Sequence, residues 1–136
     1  MITGLNHVTL SILDLERSFD FYTKILSFQP LAKWDKGAYL LAGELWFTLY
    51  QGLLFARTVS PEYTHLAFNV SEKDFPIWQA RCRASNVREW KENKSEVASL
   101  YILDPDGYKL ELHVGHWQSR IAATKKKPYK GMEFFV

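Results

Sequence analysis

Apolar positions along the chain keep two rhythms, and each predicts a kind of element. Residues 5–12 alternate as a strand does, and Asp14 then offers a helix cap to a stretch in which Leu15, Phe19, Tyr22 and Leu26 keep 3.6-residue spacing. Three short strand-like runs follow at 28–34, 38–42 and 45–50, parted by Asp35-Lys36-Gly37 and Gly43-Glu44. The first unit therefore reads βαβββ. Residues 51–61 keep neither period and read as a linker. The order then begins again. A strand is predicted at 63–70, and Phe75, Trp78 and Cys82 mark the inner face of a helix with Asp74 as its expected cap and Pro76 in its first turn. Strands at 87–91, 100–103 and 109–114 complete the second unit, the last two joined by Asp104-Pro105-Asp106-Gly107, whose Pro and Gly suit a tight turn. His7-Val8-Thr9-Leu10 superposes on His65-Leu66-Ala67-Phe68, each run leading to an acidic residue that opens a helix. The pattern predicts an internally duplicated α+β domain of two tandem βαβββ modules: module one at 1–50, the linker at 51–61, module two at 62–115 and a C-terminal tail at 116–136.

Composition narrows the function classes. With 136 residues, 47% of them apolar and 24% charged, the chain has the make-up of one folded domain with a core, which excludes a disordered or low-complexity role. The formal charge is only +2, and the densest basic run, Lys125 to Lys127 followed by Lys130, sits near the C-terminus rather than along a patterned face, so nucleic acid is not an expected partner. No apolar run approaches the roughly 20 residues that span a bilayer, so no membrane association is expected. The single cysteine, Cys82, cannot pair within the chain, and the first residues lack a signal peptide's basic and apolar regions; a reducing cytoplasm is the expected location. Cys82 lies on the apolar face of its helix and reads as packing rather than as a nucleophile. Aromatic residues reach 15%, enough to wall a cleft.

The candidate chemistry lies in His7, His65 and Glu111, which fall on the first strand of module one, the first strand of module two and the last strand of module two. Two imidazoles and a carboxylate can hold a divalent metal while leaving coordination positions open for a substrate oxygen. His113 shares a strand face with Glu111 by the period of two and rivals it as a ligand. The equivalent last strand of module one carries Trp46 and Thr48 instead, so it adds no imidazole or carboxylate. The same ligand set could hold Fe(II) for extradiol ring cleavage, although Lys91, Arg120 and a hydroxyl-rich loop favour an anionic substrate over an aromatic one.

Several strings carry a resemblance: Gly4-Leu5-Asn6-His7-Val8-Thr9-Leu10, Trp34-Asp35-Lys36-Gly37-Ala38-Tyr39-Leu40, Tyr63-Thr64-His65, Trp90-Lys91-Glu92-Asn93-Lys94-Ser95-Glu96, Tyr101-Ile102-Leu103-Asp104-Pro105-Asp106-Gly107 and Pro128-Tyr129-Lys130-Gly131-Met132. Over nearly the whole chain they resemble the fosfomycin glutathione transferases of the FosA type, within the vicinal-oxygen-chelate (glyoxalase/bleomycin-resistance/dioxygenase) superfamily. The resemblance implies that His7, His65 and Glu111 bind Mn(II), with Glu111 preferred over His113. It implies that Lys91, Ser95, Tyr101 and Arg120 meet the substrate's phosphonate, that Thr9 touches the epoxide oxygen, and that Trp46 walls the pocket. A dianionic phosphonate needs such cationic and hydroxyl donors. Tyr39 is implied as the group that helps deprotonate the glutathione thiol. The polar loop is implied to hold K⁺ through Asn93, Ser95, Val97 and Ser99. Here Val97 replaces a glycine of the family, which would strain the loop if that position needs positive φ. Thr48 replaces a cysteine. The activity implied is transfer of the thiol to the epoxide carbon next to phosphorus, giving antibiotic resistance, by a domain-swapped homodimer with shared sites in which residues 51–61 and the tail lie at the interface. Transfer from another thiol, such as cysteine or bacillithiol, and an antibiotic-sequestering protein of the same fold are the other expectations.

Overall fold

The computed structural model describes residues 1–52 and 59–136. Strands β1 (His7–Ile12), β2 (Gln29–Trp34), β3 (Gly37–Ala42) and β4 (Leu45–Gln51) form one sheet in the order β1-β4-β3-β2, while β5 (Leu66–Asn69), β6 (Glu89–Lys91), β7 (Ser99–Leu103) and β8 (Lys109–His113) form a second in the order β5-β8-β7-β6. In each sheet the first strand runs parallel to the last and the remaining pairs are antiparallel. This equivalence of order and direction is the duplicated βαβββ, α+β arrangement that the pattern predicts. The strands of the first sheet end at Gln51 and those of the second begin at Leu66; residues 53–58 of the expected linker lie outside the described residues, and Gln51 belongs to β4.

Alternation sets the two faces of each sheet. Leu10 and Ile12 of β1, Leu40 of β3 and Phe47 and Leu49 of β4 turn into a core that continues through Cys82, Leu100, Ile102, Leu110 and Leu112 of module two, so the modules share one apolar interior. Phe68 bridges them, its ring 5.3 Å from Phe28 and 6.0 Å from Phe47. The opposite faces carry the polar and catalytic candidates. Close approach is enforced at Gly37, where a Cβ would stand 2.6 Å from the Leu49 carbonyl oxygen and 2.6 Å from the Trp34 ring.

The helices depart from the predicted pattern in three places. Helix α1 (Leu15–Asp20) begins as expected, Asp14 accepting the Arg17 N–H at 3.1 Å, but it widens into a π-helical turn over Phe21–Ile25. The wider turn brings Phe21 and Tyr22 inward together and leaves Phe19 half-buried, which a strict 3.6 period does not allow. Helix α2 (Phe75–Ala84) starts after Asp74, whose side chain makes no capping bond; Ser71 Oγ instead accepts the Asp74 N–H at 3.0 Å. The expected tail folds into α3 (Trp117–Lys126), started by a reciprocal capping box between His116 and Ser119. Strand ends also shift: pairing of β5 with β8 begins at Leu66 opposite Leu110, so His65 precedes its strand rather than lying on it.

The turn between β7 and β8 docks on α1. Asp104 is buried, accepts the Tyr22 hydroxyl at 2.6 Å and the backbone N–H groups of Asp106 and Tyr108 at 2.9 Å each. Beside it Asp106 pairs with Arg17 at 2.7 Å, and the Tyr108 hydroxyl donates to the Ser11 carbonyl at 2.8 Å. Burial pushes the Asp104 carboxyl above its ordinary range against these donors.

Candidate functional site

Two half-sites lie on the polar faces of the two sheets. On the second sheet, Tyr101 of β7 stands opposite both Lys91 of β6 and Glu111 of β8, while Ser99 stands opposite His113. His65, just before β5, places Nε2 3.0 Å from Glu111 Oε2, and its Nδ1 is 2.7 Å from the Tyr63 carbonyl oxygen. That carbonyl can only accept, so Nδ1 carries the proton, and in the neutral ring Nε2 is a lone pair aimed at a carboxylate. Two acceptors at 3.0 Å call for a second ring proton or for a cation between them. Two donors on one octahedral divalent ion, at bonds of about 2.1 Å, also stand about 3 Å apart. The donor set therefore fits a metal ion.

The other oxygen of Glu111 is already held. The Ser99 hydroxyl donates to Oε1 at 2.7 Å, and His113 Nδ1 lies 2.6 Å from Ser99 Oγ and 3.0 Å from Oε1. Since Ser99 has one proton and gives it to the carboxylate, His113 Nδ1–H is the donor of the remaining contacts. His113 Nδ1 and Ser99 thus hold Oε1, and Oε2 is the oxygen that faces His65. A carboxylate held on one oxygen in this way has its other oxygen oriented, as the supporting partners of ligating carboxylates do.

The cationic and hydroxyl candidates lie next to this pair. Lys91 donates to the Tyr63 hydroxyl at 2.5 Å, with its ammonium over the Tyr63 and Tyr101 rings at 4.5 and 4.9 Å. The hydrogen bond to Tyr63 raises the Lys91 pKa above its ordinary value, with Tyr101 and Glu111 adding to it against burial. Burial, reinforced by the Glu111 charge, raises that of Tyr101. In the following loop the Ser95 hydroxyl faces two acceptors, Asn93 Oδ1 at 2.7 Å and the Val97 carbonyl at 2.9 Å, and Asn93 Nδ2 donates to the same carbonyl at 2.8 Å. Three oxygens are thereby gathered, and Ser99 Oγ stands apart from them with Glu111. Val97 adopts no positive φ, so the strain its side chain would meet there does not arise. Arg120 of α3 reaches this loop through Glu96, pairing at 2.8 Å; burial lowers the Arg120 pKa, but the Glu96 hydrogen bond and charge outweigh it and the net direction is upward.

On the first sheet, His7 and Thr9 of β1 stand opposite Trp46 and Thr48 of β4, and Tyr39 of β3 flanks Thr48 from the other side. The His7 ring packs on Trp46 at 4.5 Å, and Tyr39 meets Trp46 edge-on at 5.2 Å. His7 Nδ1 lies 2.7 Å from Asn6 Oδ1, an acceptor, so this histidine too presents Nε2. The chain itself does not bring His7 to the other pair: among the described residues no group of three or more His, Cys, Asp or Glu side chains is placed to hold a metal. The supporting residues Asn6, Tyr63 and Glu96 receive no role from the sequence; Tyr63, two residues before His65, could have been found only by asking what holds that ring.

This architecture has known counterparts. The profile of the Glyoxalase/Bleomycin resistance protein/Dioxygenase superfamily matches residues 4–112. The chain is 46% identical over 136 residues to the glutathione transferase FosA of Serratia marcescens, covering 98% of this chain and 96% of that protein. It belongs to the fosfomycin resistance enzymes of that superfamily. It is also 37% identical to the metallothiol transferase FosB of Staphylococcus saprophyticus, over 99% of this chain and 91% of the relative. Among solved structures it resembles the fosfomycin resistance protein FosX of Listeria monocytogenes complexed with Mn(II) and sulfate, with a TM-score of 0.80, 27% identity and coverage of 90% and 98%. A variant of that protein complexed with Mn(II) and 1S,2S-dihydroxypropylphosphonic acid matches with a TM-score of 0.78, 26% identity and coverage of 89% and 99%. Cys82, by contrast, takes no part: it is buried, and burial pushes its thiol up to about 11.

Proposed function

We propose that this chain is a Mn(II)- and K⁺-dependent glutathione transferase that opens the epoxide of fosfomycin, acting in the cytoplasm as a homodimer. One observation carries the reading: a His65–Glu111 donor pair, 3.0 Å apart, shares a sheet face with Lys91 and Tyr101, so a cation and an oxyanion can be held side by side. The 46% identity to a glutathione transferase supports the choice of thiol.

His65 and Glu111 of one protomer, with His7 from a second copy of the chain, would hold the metal; when bound, Mn(II) supplies Lewis acidity toward the epoxide oxygen. Lys91, Ser95, Tyr101 and Arg120 bind the phosphonate, and Trp46 walls the pocket. For this, Arg120 exchanges part of its bond to Glu96 for the substrate's charge. Thr9 donates a hydrogen bond to the epoxide oxygen. Tyr39, at the exposed end of the same row, assists loss of the thiol proton. Sulfur then bonds to the carbon next to phosphorus, that carbon's bond to the epoxide oxygen breaks, and the released oxygen takes up a proton. The gathered oxygens of Asn93, Ser95 and Val97 support a K⁺ site that offsets the phosphonate charge, with Ser99, engaged by Glu111, left outside the cluster.

The 37% identity to a metallothiol transferase favours a second reading in which a different thiol, bacillithiol or cysteine, is the nucleophile. Phosphorus NMR of the protein with fosfomycin, Mn(II) and K⁺ decides between them when glutathione, cysteine, bacillithiol and no thiol are supplied in parallel. The glutathione adduct is expected to form fastest and to vanish in His65→Ala. Faster reaction with another thiol would establish the second reading, a diol formed without thiol would make water the nucleophile, and unchanged fosfomycin throughout would overturn both transferase readings.

A further inference from the structure

Thr48 occupies the centre of the polar face of the first sheet. Its strand neighbours Phe47 and Leu49 turn into the core, so Thr48 turns the other way, with Thr9 opposite it on one side and Tyr39 on the other. It is buried, at 7% exposure, yet among the described residues its hydroxyl has no hydrogen-bond partner. A second atom on the same face shares that condition: the indole N–H of Trp46, two residues along β4, is buried and unpartnered as well. Buried polar atoms are nearly always paired, and two orphans side by side on one face point to a shared partner outside the chain. The indole can only donate, so that partner presents acceptors. Thr9, Thr48 and Trp46 share that face, so an oxygen-rich ligand is the partner these donors call for.

We propose that Thr48 is a substrate-binding residue whose hydroxyl donates a hydrogen bond to the oxygen carried on the substrate's carbon, so that Thr9 and Thr48 grip that oxygen from adjacent strands. The inference rests on the reading of the site as one for an epoxyphosphonate. It makes Thr48 more than a spacer: the hydroxyl is left unsatisfied in the free protein and is satisfied by the ligand. Substitution by valine keeps the shape and the strand preference and removes only the hydroxyl. The free protein therefore loses nothing by it, while the complex loses a donor.

The experiment measures two quantities, neither of them turnover, on the Mn(II)-loaded protein: the melting temperature without ligand, and the affinity for fosfomycin by calorimetry. Thr48→Val is expected to melt at the same or a higher temperature and to bind fosfomycin about tenfold more weakly, a loss equivalent to about 1.4 kcal/mol. Thr48→Ser, which keeps the hydroxyl, is expected to restore most of the affinity even if its smaller side chain lowers the melting temperature. Unchanged affinity in Thr48→Val, or a loss that Thr48→Ser shares in full, would overturn the proposal and leave the parent reading intact. Failure of the unaltered protein to bind fosfomycin would overturn both.

Discussion

Glu111 is a small carboxylate with two different oxygens, and its surroundings decide which is available. Oε1 is engaged by Ser99 and His113, and Oε2 faces His65. Ser99→Ala removes the shortest of the contacts on Oε1 and lets the carboxylate turn, so Mn(II) affinity, read from the free-ion signal in electron paramagnetic resonance, is expected to fall about 10- to 100-fold. Ser99→Thr, which keeps the hydroxyl, should recover much of it. Cys82 illustrates the opposite case, a residue whose chemistry is suppressed by packing. Its thiol sits near 11 because burial disfavours the thiolate. A folded-state pKa above the ordinary value of 9.0 means the stabilisation is complete below pH 9 and is lost as pH rises toward 11. Urea unfolding at pH 8.5 and 10.5 should show a decline about 1–2 kcal/mol larger than that of Cys82→Ala.

At the scale of elements, the turn between β7 and β8 is tied to α1 and its π-helical extension by side-chain hydrogen bonds to Asp104 and Asp106. Tyr22→Phe deletes the hydroxyl that meets the buried Asp104 at 2.6 Å but leaves two backbone N–H donors on the same carboxylate. The expected cost is about 1–3 kcal/mol in urea or thermal unfolding. Asp104→Ala strands all three donors at once and should cost more. These elements also mark what the sequence could tell. Strands with clean alternation, such as β1 and β4, and the turn with its Pro and Gly were legible, because period and turn chemistry are local properties. The π-turn over Phe21–Ile25 was not, since it answers to the space around Tyr22 and Asp104, which are 82 positions apart. Helix α3 is not legible in the pattern because its cap is a histidine and its apolar positions are sparse. His65 was legible as a metal candidate from its placement equivalent to His7, and Glu111 only as one of two candidates with His113, the choice between them coming from the resemblance; the carbonyl that sets the His65 tautomer and the Ser99–His113 contacts depend on backbone geometry that no spacing encodes.

At the scale of the whole molecule, the two half-sites raise a question of assembly. His7 presents its Nε2 on one sheet while the His65–Glu111 pair waits on the other, and strand β2 is exposed along its whole length. A dimer that exchanges modules would bring His7 of one copy to His65 and Glu111 of the other, building two equivalent sites about a two-fold axis. The consequence is specific. His7→Ala and Glu111→Ala should each be inactive alone. In a heterodimer of the two, one site carries both lesions and the other carries neither, because the unaltered His7 and the unaltered Glu111 sit on different chains and meet in the same site. Unfolding the two variants together in equal amounts and refolding them gives about half heterodimers, each with one intact site of two, so about a quarter of the wild-type rate should return. A site built within one chain would recover nothing on mixing, since every copy would still lack one ligand. The rate after mixing, set against each variant refolded alone, therefore reports whether the metal is held within a chain or between two.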